Sequence, residues 1–360
     1  MKLKELGTIV TGNTPSKQSV ENWDSPDICF VKPDIISDTG ISIIDDSAEY
    51  ISEKARAKAR IVGENSILIT CIGSIGKIGI TAKGTFAFNQ QINAIIPNRK
   101  VNSKYLAYAL LYAKPRLVAI ANAPVVPIIN KSQFGDFEIK VTENTEDQSK
   151  AVEVLDTVNA IIENRHQQLQ KLDELVKARF VELFGNPCSN SKRFKTQKGS
   201  TLFKISNGRA VPNDRRFETG IPAYGGNGIS WYTDNVLCKN DTIVIGRVGF
   251  QSGNVHLVKG PVWITDNAMY ISELYNDSLS LIFLCTMMEH IDFTKQQDAG
   301  DLKKVTQKPF METEYILPPK SLQEEYVDFV HQVNKSKVAV QKSLDEAQLL
   351  FDSLMQRYFE

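Results

Sequence analysis

The chain has 360 residues, with 42 basic and 42 acidic side chains and a formal net charge of zero. Its length suits two or three domains, and a hydrophobic fraction of 42% with 17 Phe and 11 Tyr excludes a disordered chain. The five cysteines form no CxxC pair and the four histidines are dispersed, which argues against a disulfide framework or a zinc site and fits a reducing compartment.

Neither the N-terminus nor the longest apolar run suggests export or membrane insertion. The N-terminal residues MKLKELGTIVTGNTPSK lack the apolar region of a signal peptide. The longest apolar run, residues 117–129, is interrupted by Asn122, Pro124 and Pro127 and is too short to span a bilayer. We therefore expect a cytoplasmic protein with no membrane partner.

In chain order, each half of the sequence begins with short strands and ends with a long helix. Residues 65–96 and 240–271 have β-branched runs between Gly, Asn and Asp, and Asn102–Tyr112 and Leu279–Met288 have apolar residues at helical spacing. Residues 146–184 contain no Gly or Pro and keep apolar residues on one stripe, which a second stripe near the C-terminus matches. The predicted seam residues are Leu155, Val158, Ile162, Leu169, Leu172, Val176, Val330, Val333, Leu344, Phe351 and Leu354.

The two halves match in detail, which indicates an internal duplication. At a shift of 175, the second long stretch keeps Gln323, Val327, Val333, Asn334, Leu344, Leu350 and Phe359 where the first has Gln148, Val152, Val158, Asn159, Leu169, Leu175 and Phe184. In the globular parts, Gly73 matches Gly249 at a shift of 176. Asn93 and Ala94 match Asn267 and Ala268 at 174.

These patterns predict an α+β fold with two β-rich globular domains, at 1–145 and 187–319, alternating with long helices at 146–186 and 320–360. A helix of about 37 residues would be roughly 55 Å long. Because neither stripe can be buried by its own helix, we expect the two to pair as an antiparallel coiled coil related by pseudo-twofold symmetry. The alternative is that each helix lies on its neighbouring globular domain.

No catalytic motif satisfies its own spacing, so the sequence predicts no catalytic residue and no metal site. The segment from Gly73 to Ile78 is not a phosphate loop, because a Walker motif needs Gly where Cys71 stands and Ser or Thr in place of Ile78. Residues 186–189, NPCS, have too few prolines and no aromatic for the motif of an amino-methyltransferase. No Gly-rich cofactor turn follows a strand and opens a helix.

Polar residues at the Gly-rich turns suit contacts with DNA. Residues 1–144 carry 17 basic against 14 acidic side chains and residues 188–320 carry 16 against 13, whereas both helical stretches are acidic. Arg reads guanine, and Asn or Gln reads adenine, through paired hydrogen bonds, although such residues can also be solvated loop positions. The candidates are Thr11, Asn13, Thr14, Ser16, Lys17, Ser74, Lys77, Asn89, Gln90, Gln91, Asn207, Arg209, Asn213, Arg215, Arg216, Tyr224, Asn227, Trp231, Arg247, Gln251, Ser252, Asn254, Lys303 and Lys304.

The order of several segments resembles the specificity subunit of type I restriction-modification systems over essentially the full length. These segments are TGNTPSK, FVKPDI, IGSIGKIGI, FNQQINAI, IGRVGFQSGNVHLVKGPVWITDNAMYI, LPPKSLQEEYVDFV, VELFGNP and LMQRYF. The resemblance implies two target recognition domains, each reading half of a split, asymmetric double-stranded DNA site, with the helices as spacer. It also implies two methyltransferase (M) subunits and restriction (R) subunits as partners. S-adenosylmethionine, ATP and Mg would be bound by those partners and none by this chain.

Two other classes of function remain open at this point. A coiled-coil scaffold could use its globular domains to bind protein, and a salt titration distinguishes it because phosphate contacts give a steep salt dependence. A stand-alone enzyme acting on nucleic acid would need a methyl-donor motif or a nucleophile with its base, and the sequence offers neither.

Overall fold

The computed structural model describes residues 1–121, 126–276, 279–298 and 303–360, and the chain forms two compact units. Unit 1 is Met1–His166 with Lys342–Glu360, and unit 2 is Gln167–Gln341. Asn122 and Pro124 of the interrupted apolar run lie outside the described residues. Over the described ranges, no helix combines the length and the apolar character needed to cross a membrane.

Unit 1 places two β-sheets beside short helices. Within the described residues, one sheet has the strand order β1-β9-β6-β7-β3 and the other β4-β2-β8-β5. Buried Phe86 and Phe88 belong to a core that contains residues of both sheets. The elements are α1 (Leu3–Leu6), β1 (Gly7–Thr11), β2 (Ile28–Val31), β3 (Ile41–Ile44), β4 (Tyr50–Ile51), β5 (Ile61–Val62), β6 (Ile67–Thr70), β7 (Ile78–Thr81), β8 (Phe86–Phe88), β9 (Ile92–Pro97), α2 (Ser103–Ala119) and α3 (Lys131–Asp136), followed by the long helix α4 (Thr145–Phe184).

Unit 2 repeats this arrangement with fewer strands in its main sheet. The described residues form sheets of order β11-β17-β14-β15, β13-β12-β16 and β10-β18. The elements are β10 (Lys195–Lys198), α5 (Gly199–Leu202), β11 (Phe203–Asn207), β12 (Ile221–Gly225), β13 (Gly228–Thr233), β14 (Thr242–Gly246), β15 (Val255–Val258), β16 (Trp263–Ile264), β17 (Ala268–Leu274), α6 (Leu281–Ile291), α7 (Lys308–Glu312), β18 (Glu314–Leu317) and the long helix α8 (Lys320–Phe359).

The predicted duplication is present in the backbone of the two units. The order β1-β9-β6-β7 recurs as β11-β17-β14-β15, and the parallel pair β2 and β8 recurs as β12 and β16. The shift of 174 for Asn267 is wrong. The Cys71 N–H donates to the Gln91 carbonyl and the Arg247 N–H donates to the Asn267 carbonyl, so Asn267 corresponds to Gln91 at a shift of 176.

The two long helices pair in antiparallel fashion, as predicted. In unit 2, Asp173 forms an ion pair with Lys337, whereas Arg179, further along α4, pairs with Glu325, which is earlier on α8. In unit 1, the Arg165 side chain donates to the Ser343 hydroxyl at 3.1 Å. At its C-terminal end α4 stops at Phe184, where Gly185 adopts a φ of +71° as expected for a helix terminator.

The seam residues differ in burial along the pair. Those that are buried are Leu155, Val158, Ile162, Val330, Val333, Leu344 and Phe351, and those that are half-buried are Leu169, Leu172, Val176 and Leu354. The helix ends also pack on the short helix of their own unit: the rings of Phe359 and Tyr105 lie 5.1 Å apart in unit 1, and those of Phe184 and Phe283 lie 4.7 Å apart in unit 2. Pairing and packing on a globular part therefore coexist.

A buried glutamine ties the start of each long helix to its globular part. The Gln148 amide accepts from the Asn102 N–H at 2.7 Å and donates to the carbonyls of Lys100 and Thr142. At the equivalent position, Gln323 accepts from the Ser280 N–H at 3.1 Å and donates to the Pro318 carbonyl at 3.0 Å. Because Asn102 and Ser280 are the N-caps of α2 and α6, each long helix has a fixed exit from its sheet.

Candidate nucleic-acid interface

Three loops of unit 1 converge at one edge of its main sheet. We call residues 11–14, 71–77 and 89–93 the first loop edge. The C-terminal ends of β1 and β6 meet the N-terminal end of β9 there, because both strands run antiparallel to β9. The Gly12 N–H donates to the Ile92 carbonyl at 3.0 Å, and the Cys71 N–H donates to the Gln91 carbonyl at 2.7 Å. Most of the unit 1 candidates are thereby brought together.

The same convergence occurs in unit 2. We call residues 207–209, 224–227, 246–254, 264–268 and 303–305 the second loop edge. The Gly208 N–H donates to the Ala268 carbonyl at 2.9 Å, the Arg247 N–H to the Asn267 carbonyl at 3.0 Å, and the Gly249 N–H to the Lys303 carbonyl at 2.8 Å. The turn at Gly226 reaches the same place, since a β-carbon there would lie 3.0 Å from the Gly246 Cα.

Each loop edge depends on a glycine at the point where the chain leaves the first strand of the main sheet and crosses a neighbouring loop. A β-carbon on Gly12 would stand 2.1 Å from the Asn89 carbonyl oxygen, and one on Gly208 would stand 2.0 Å from the Thr265 carbonyl oxygen. Only a residue without a side chain allows the backbone to pass so close. These two glycines are equivalent, so the duplication includes the geometry of the loops as well as the strands.

Several candidates of unit 1 hold the first loop edge together. The Thr11 hydroxyl donates to the Asn93 side chain at 2.7 Å, and Asn13 donates to the Lys58 carbonyl and accepts from the Arg60 N–H. Asn89 is buried and its side chain is hydrogen bonded to Gln91. These side chains act mainly on the protein's own loops.

The remaining unit 1 candidates reach the surface. Thr14, Ser16, Lys17, Ser74 and Gln90 are exposed, and the Thr14 hydroxyl donates to the Gln90 side chain at 2.8 Å. The basic groups have acidic neighbours. The Lys17 ammonium lies 3.7 Å from Glu49, and the Lys77 ammonium lies 3.1 Å from Asp38 with only 13% of its side chain exposed. Exposed amides and hydroxyls therefore dominate this edge.

The second loop edge presents more basic groups. Arg209, Lys303 and Lys304 are exposed, and Arg247 is half-buried with its guanidinium donating to the Asp266 carbonyl at 3.2 Å. Tyr224 and Gln251 are half-buried and Asn227 is exposed on the turn between β12 and β13. Asn254 donates to the Gln251 side chain, and Ser252 is buried.

The candidates at 213–216 form a separate group around Trp231. The Arg216 guanidinium lies 4.2 Å above the Trp231 ring and donates to the Val211 carbonyl, so it orders the loop before it. Arg215 pairs with Asp234 at 3.2 Å, and Asn213 is exposed at the start of a short 3₁₀ turn. The pairing of β12 with β13 joins the strand of Trp231 to the strand of Tyr224, but no described side-chain hydrogen bond joins this group to the second loop edge.

The sequence interpretation missed Phe250. Its side chain is 81% exposed on the turn after β14, and the Lys303 ammonium lies 5.3 Å from its ring centroid. An aromatic ring beside a cation can stack on a base or enter a groove of DNA. The sequence contained a signal for this residue. Phe250 lies between Gly249 and Gly253 in a turn, and a turn offers no sheet face on which the ring could be buried.

Equivalent positions in the two edges differ in chemistry. Cys71 and Arg247 make the same backbone hydrogen bonds, with Ile129 and Val305 respectively donating to their carbonyls. Burial raises the pKa of the Cys71 thiol to about 12, so this side chain is neutral and inert at physiological pH. Arg247 places a guanidinium at that position. The edges share a scaffold and present different groups to a ligand.

Within the parts of the chain that are described, no group of three or more His, Cys, Asp or Glu side chains is arranged to hold a metal ion. The chemistry on view is hydrogen bonding and charge, from donors and acceptors on loops held by a β-scaffold. This is the arrangement through which proteins read the edges of bases.

Comparisons with known proteins all indicate the same protein family. The family model for the type I restriction modification DNA specificity domain matches residues 1–174 and 192–347. The specificity subunit of the type I restriction enzyme MjaIX of Methanocaldococcus jannaschii is 30% identical over 202 residues, and that of EcoR124I/EcoR124II of Escherichia coli is 29% identical over 181 residues. These alignments cover 55% and 48% of this chain, and 45% and 44% of the relatives, so the chain spans less than half the length of either relative.

A longer alignment joins the chain to the EcoprrI specificity subunit of Escherichia coli, 26% identical over 290 residues, with 76% of this chain and 72% of that protein covered. Among solved structures, the S subunit of a type I restriction-modification system from M. genitalium superposes with a TM-score of 0.62 at 17% identity. The superposition covers 100% of this chain and 95% of that one. The likeness in structure shows that the fold is shared.

Proposed function

This chain belongs to the type I restriction-modification DNA specificity family, and we propose that it is the non-catalytic subunit that reads DNA sequence for such a complex. Residues 1–145 and 187–319 are the target recognition domains, each reading one half of a bipartite, asymmetric site. The helical stretches 146–186 and 320–360 set the spacing of the half-sites and dock two methyltransferase subunits. Restriction subunits complete the assembly.

The observation that carries this proposal is the pair of loop edges. Each brings polar side chains from distant parts of the sequence to the end of a rigid sheet, through equivalent backbone hydrogen bonds. Loops on a fixed scaffold can change their side chains without changing the fold, which suits the recognition of two different sequences. S-adenosylmethionine, ATP and Mg belong to the partner subunits in this proposal.

Selection from a random duplex library tests the proposal. The full chain, alone and with its methyltransferase subunits, is mixed with the library, and the retained DNA is sequenced. We expect an enriched motif in two parts with a constant gap of about one helical turn between half-site centres. Retained DNA without any two-part motif, in both samples, would refute sequence reading by two domains.

The two other classes of function give different results. A scaffold that binds protein would show little salt dependence of its DNA binding, whereas neutralised phosphates give a steep decrease in affinity with salt. A stand-alone methyltransferase would transfer label from a labelled methyl donor to DNA without partners. We expect a steep salt slope and no transfer of label by this chain alone.

A further inference from the structure

The two units differ at the outer edge of their main sheets. In unit 1, β3 pairs in parallel with β7 and completes the sheet, with Ile43 opposite Ile80. In unit 2, the strand equivalent to β7 is β15. Among the described residues, no strand pairs with the outer edge of β15. Ile80 and Leu257 are equivalent, because they lie opposite Ile67 and Ile243, which differ by 176.

Side-chain exposure shows what the absent strand leaves uncovered. Ile80 is 4% exposed, whereas Leu257 is 39% exposed. A groove of about 1190 Å³ runs along β15 between the start of α6 and residues 328–338 of α8, and its described lining includes Leu257, Leu281, Ile282 and Val338. At the equivalent place in unit 1, cavities of about 510 and 130 Å³ remain around β3. The β3 strand thus occupies in unit 1 the space that the groove leaves open in unit 2.

We propose that the groove of unit 2 binds an extended segment of a partner protein, which adds to β15 as a parallel strand. An unpaired strand edge offers backbone N–H and carbonyl groups to an added strand, and alternate side chains enter the neighbouring pockets. The duplication itself supplies the template, since the chain's own segment Ile-Ser-Ile-Ile at 41–44 fills the equivalent site. The inference concerns a surface away from the loop edges and does not depend on DNA reading.

Charged groups of both signs also line the groove. In unit 1 the Ala82 N–H donates to the Ile44 carbonyl at 2.8 Å, at the point where β3 ends. The equivalent of Ala82 is Lys259, an exposed residue that lines the groove. On the helix wall, the equivalent of Asp156 is His331, and Lys335 lies one turn further along α8. Asp241 and Asp328 line the groove as well, so its charges are mixed, and it is the apolar lining that selects an apolar strand.

The chain's own sequence provides the probe. A fluorescein-labelled peptide of residues 39–46, TGISIIDD, is titrated with the full chain and its fluorescence anisotropy is measured. A second peptide with a photoreactive group in place of the serine is cross-linked and the adducts are mapped by mass spectrometry. We expect saturable binding, with adducts on β15 and on residues 328–338.

Two variants and one modified peptide make the test specific. Leu257→Asp and Val338→Asp should each weaken binding by about tenfold or more, because each places a charge against the apolar strand. Leu349→Asp, at a leucine of α8 that is 70% exposed against 71% for Val338 and lies outside the groove, is the matched control and should bind as the unchanged chain does. Melting temperatures establish that each variant is folded. The same peptide with N-methyl groups at alternate residues loses backbone donors and should not bind.

Three results would overturn the proposal. The first is the absence of saturable binding by the peptide. The second is equal binding by the N-methylated peptide, which would indicate apolar contact without strand addition. The third is unchanged binding by folded Leu257→Asp and Val338→Asp.

Discussion

The two loop edges show how one scaffold can present different chemistry. Equivalent backbone hydrogen bonds close both edges, yet the first carries mainly amides and hydroxyls while the second carries Arg209, Arg247, Lys303 and Lys304. At the position where unit 1 has the buried Cys71, unit 2 has Arg247. The comparison indicates that scaffold and ligand contacts vary independently, and the following predictions test that separation.

The largest effect is expected at the C-terminal end of each long helix. Phe184 packs on Phe283, and its equivalent Phe359 packs on Tyr105, in both cases with buried rings. Phe184→Ala and Phe359→Ala should each lower the free energy of unfolding by about 3 to 5 kcal/mol through the cavity they leave. Denaturant unfolding followed by hydrogen exchange locates the loss, and a loss that spreads equally over both units for each variant would contradict their separation.

The buried glutamines should have the next largest effect. Gln148→Leu leaves two carbonyls and one N–H without their partner, and should cost about 3 kcal/mol of unfolding free energy, whereas Gln323→Leu leaves fewer groups and should cost about 1 kcal/mol less. Thermal unfolding of both variants measures the difference. Gln167→Leu, at an exposed position of α4, serves as the control. Equal costs at positions 148 and 323 would show that the hydrogen bonds do not set the effect.

Arg247→Ala tests the proposed reading of DNA at the second loop edge. We expect a loss of about 1 to 3 kcal/mol in discrimination at one position of one half-site, with the other half-site unchanged. Lys204→Ala on β11 removes one positive charge from an exposed strand position in the same unit and should leave discrimination intact. Competition binding with duplexes altered in either half measures the effect. Equal loss in both halves would contradict independent domains.

The smallest effect is expected at the surface of the helix pair. Asp173→Ala removes the ion pair with Lys337, which is partly exposed, and should lower the unfolding free energy by about 0.2 to 1 kcal/mol. The loss should shrink in high salt because exposed charges are screened. Asp328→Ala, the same change at an exposed position of α8, controls for helix propensity. A loss above that range would mean that this pair matters more than its exposure indicates.

The sequence was sufficient for the long helices and for the duplication, because the periodicity of 152–176 and 327–354 repeats over many turns. The loop positions were also predictable, and both loop edges contain most of the proposed candidates. The roles within the loops were not. Asn13 and Asn227 have the same side chain, but Asn13 bonds to the 58–60 backbone while Asn227 stands in solvent, and only the fold distinguishes them.

The open edge of β15 could not be predicted either. The segment at 41–44 has no counterpart in the second half of the sequence. That difference alone does not show that the sheet of unit 2 lacks a strand. Likewise, the match of Asn93 with Asn267 was two residues out of register, because similar short strands align nearly as well at neighbouring shifts. Backbone hydrogen bonds decide such cases where side-chain identity does not.

The crossings at Gly12 and Gly208 bear on how such a protein can change over time. Any side chain there would collide with a carbonyl oxygen 2.1 or 2.0 Å away, so these two sites tolerate no mutation that the rest of the loop could absorb. Exposed loop positions such as Gln90 and Asn227 present their side chains to solvent and have no such restriction. Successive substitutions can therefore change the side chains that the loops present, while the two glycines preserve the backbone arrangement.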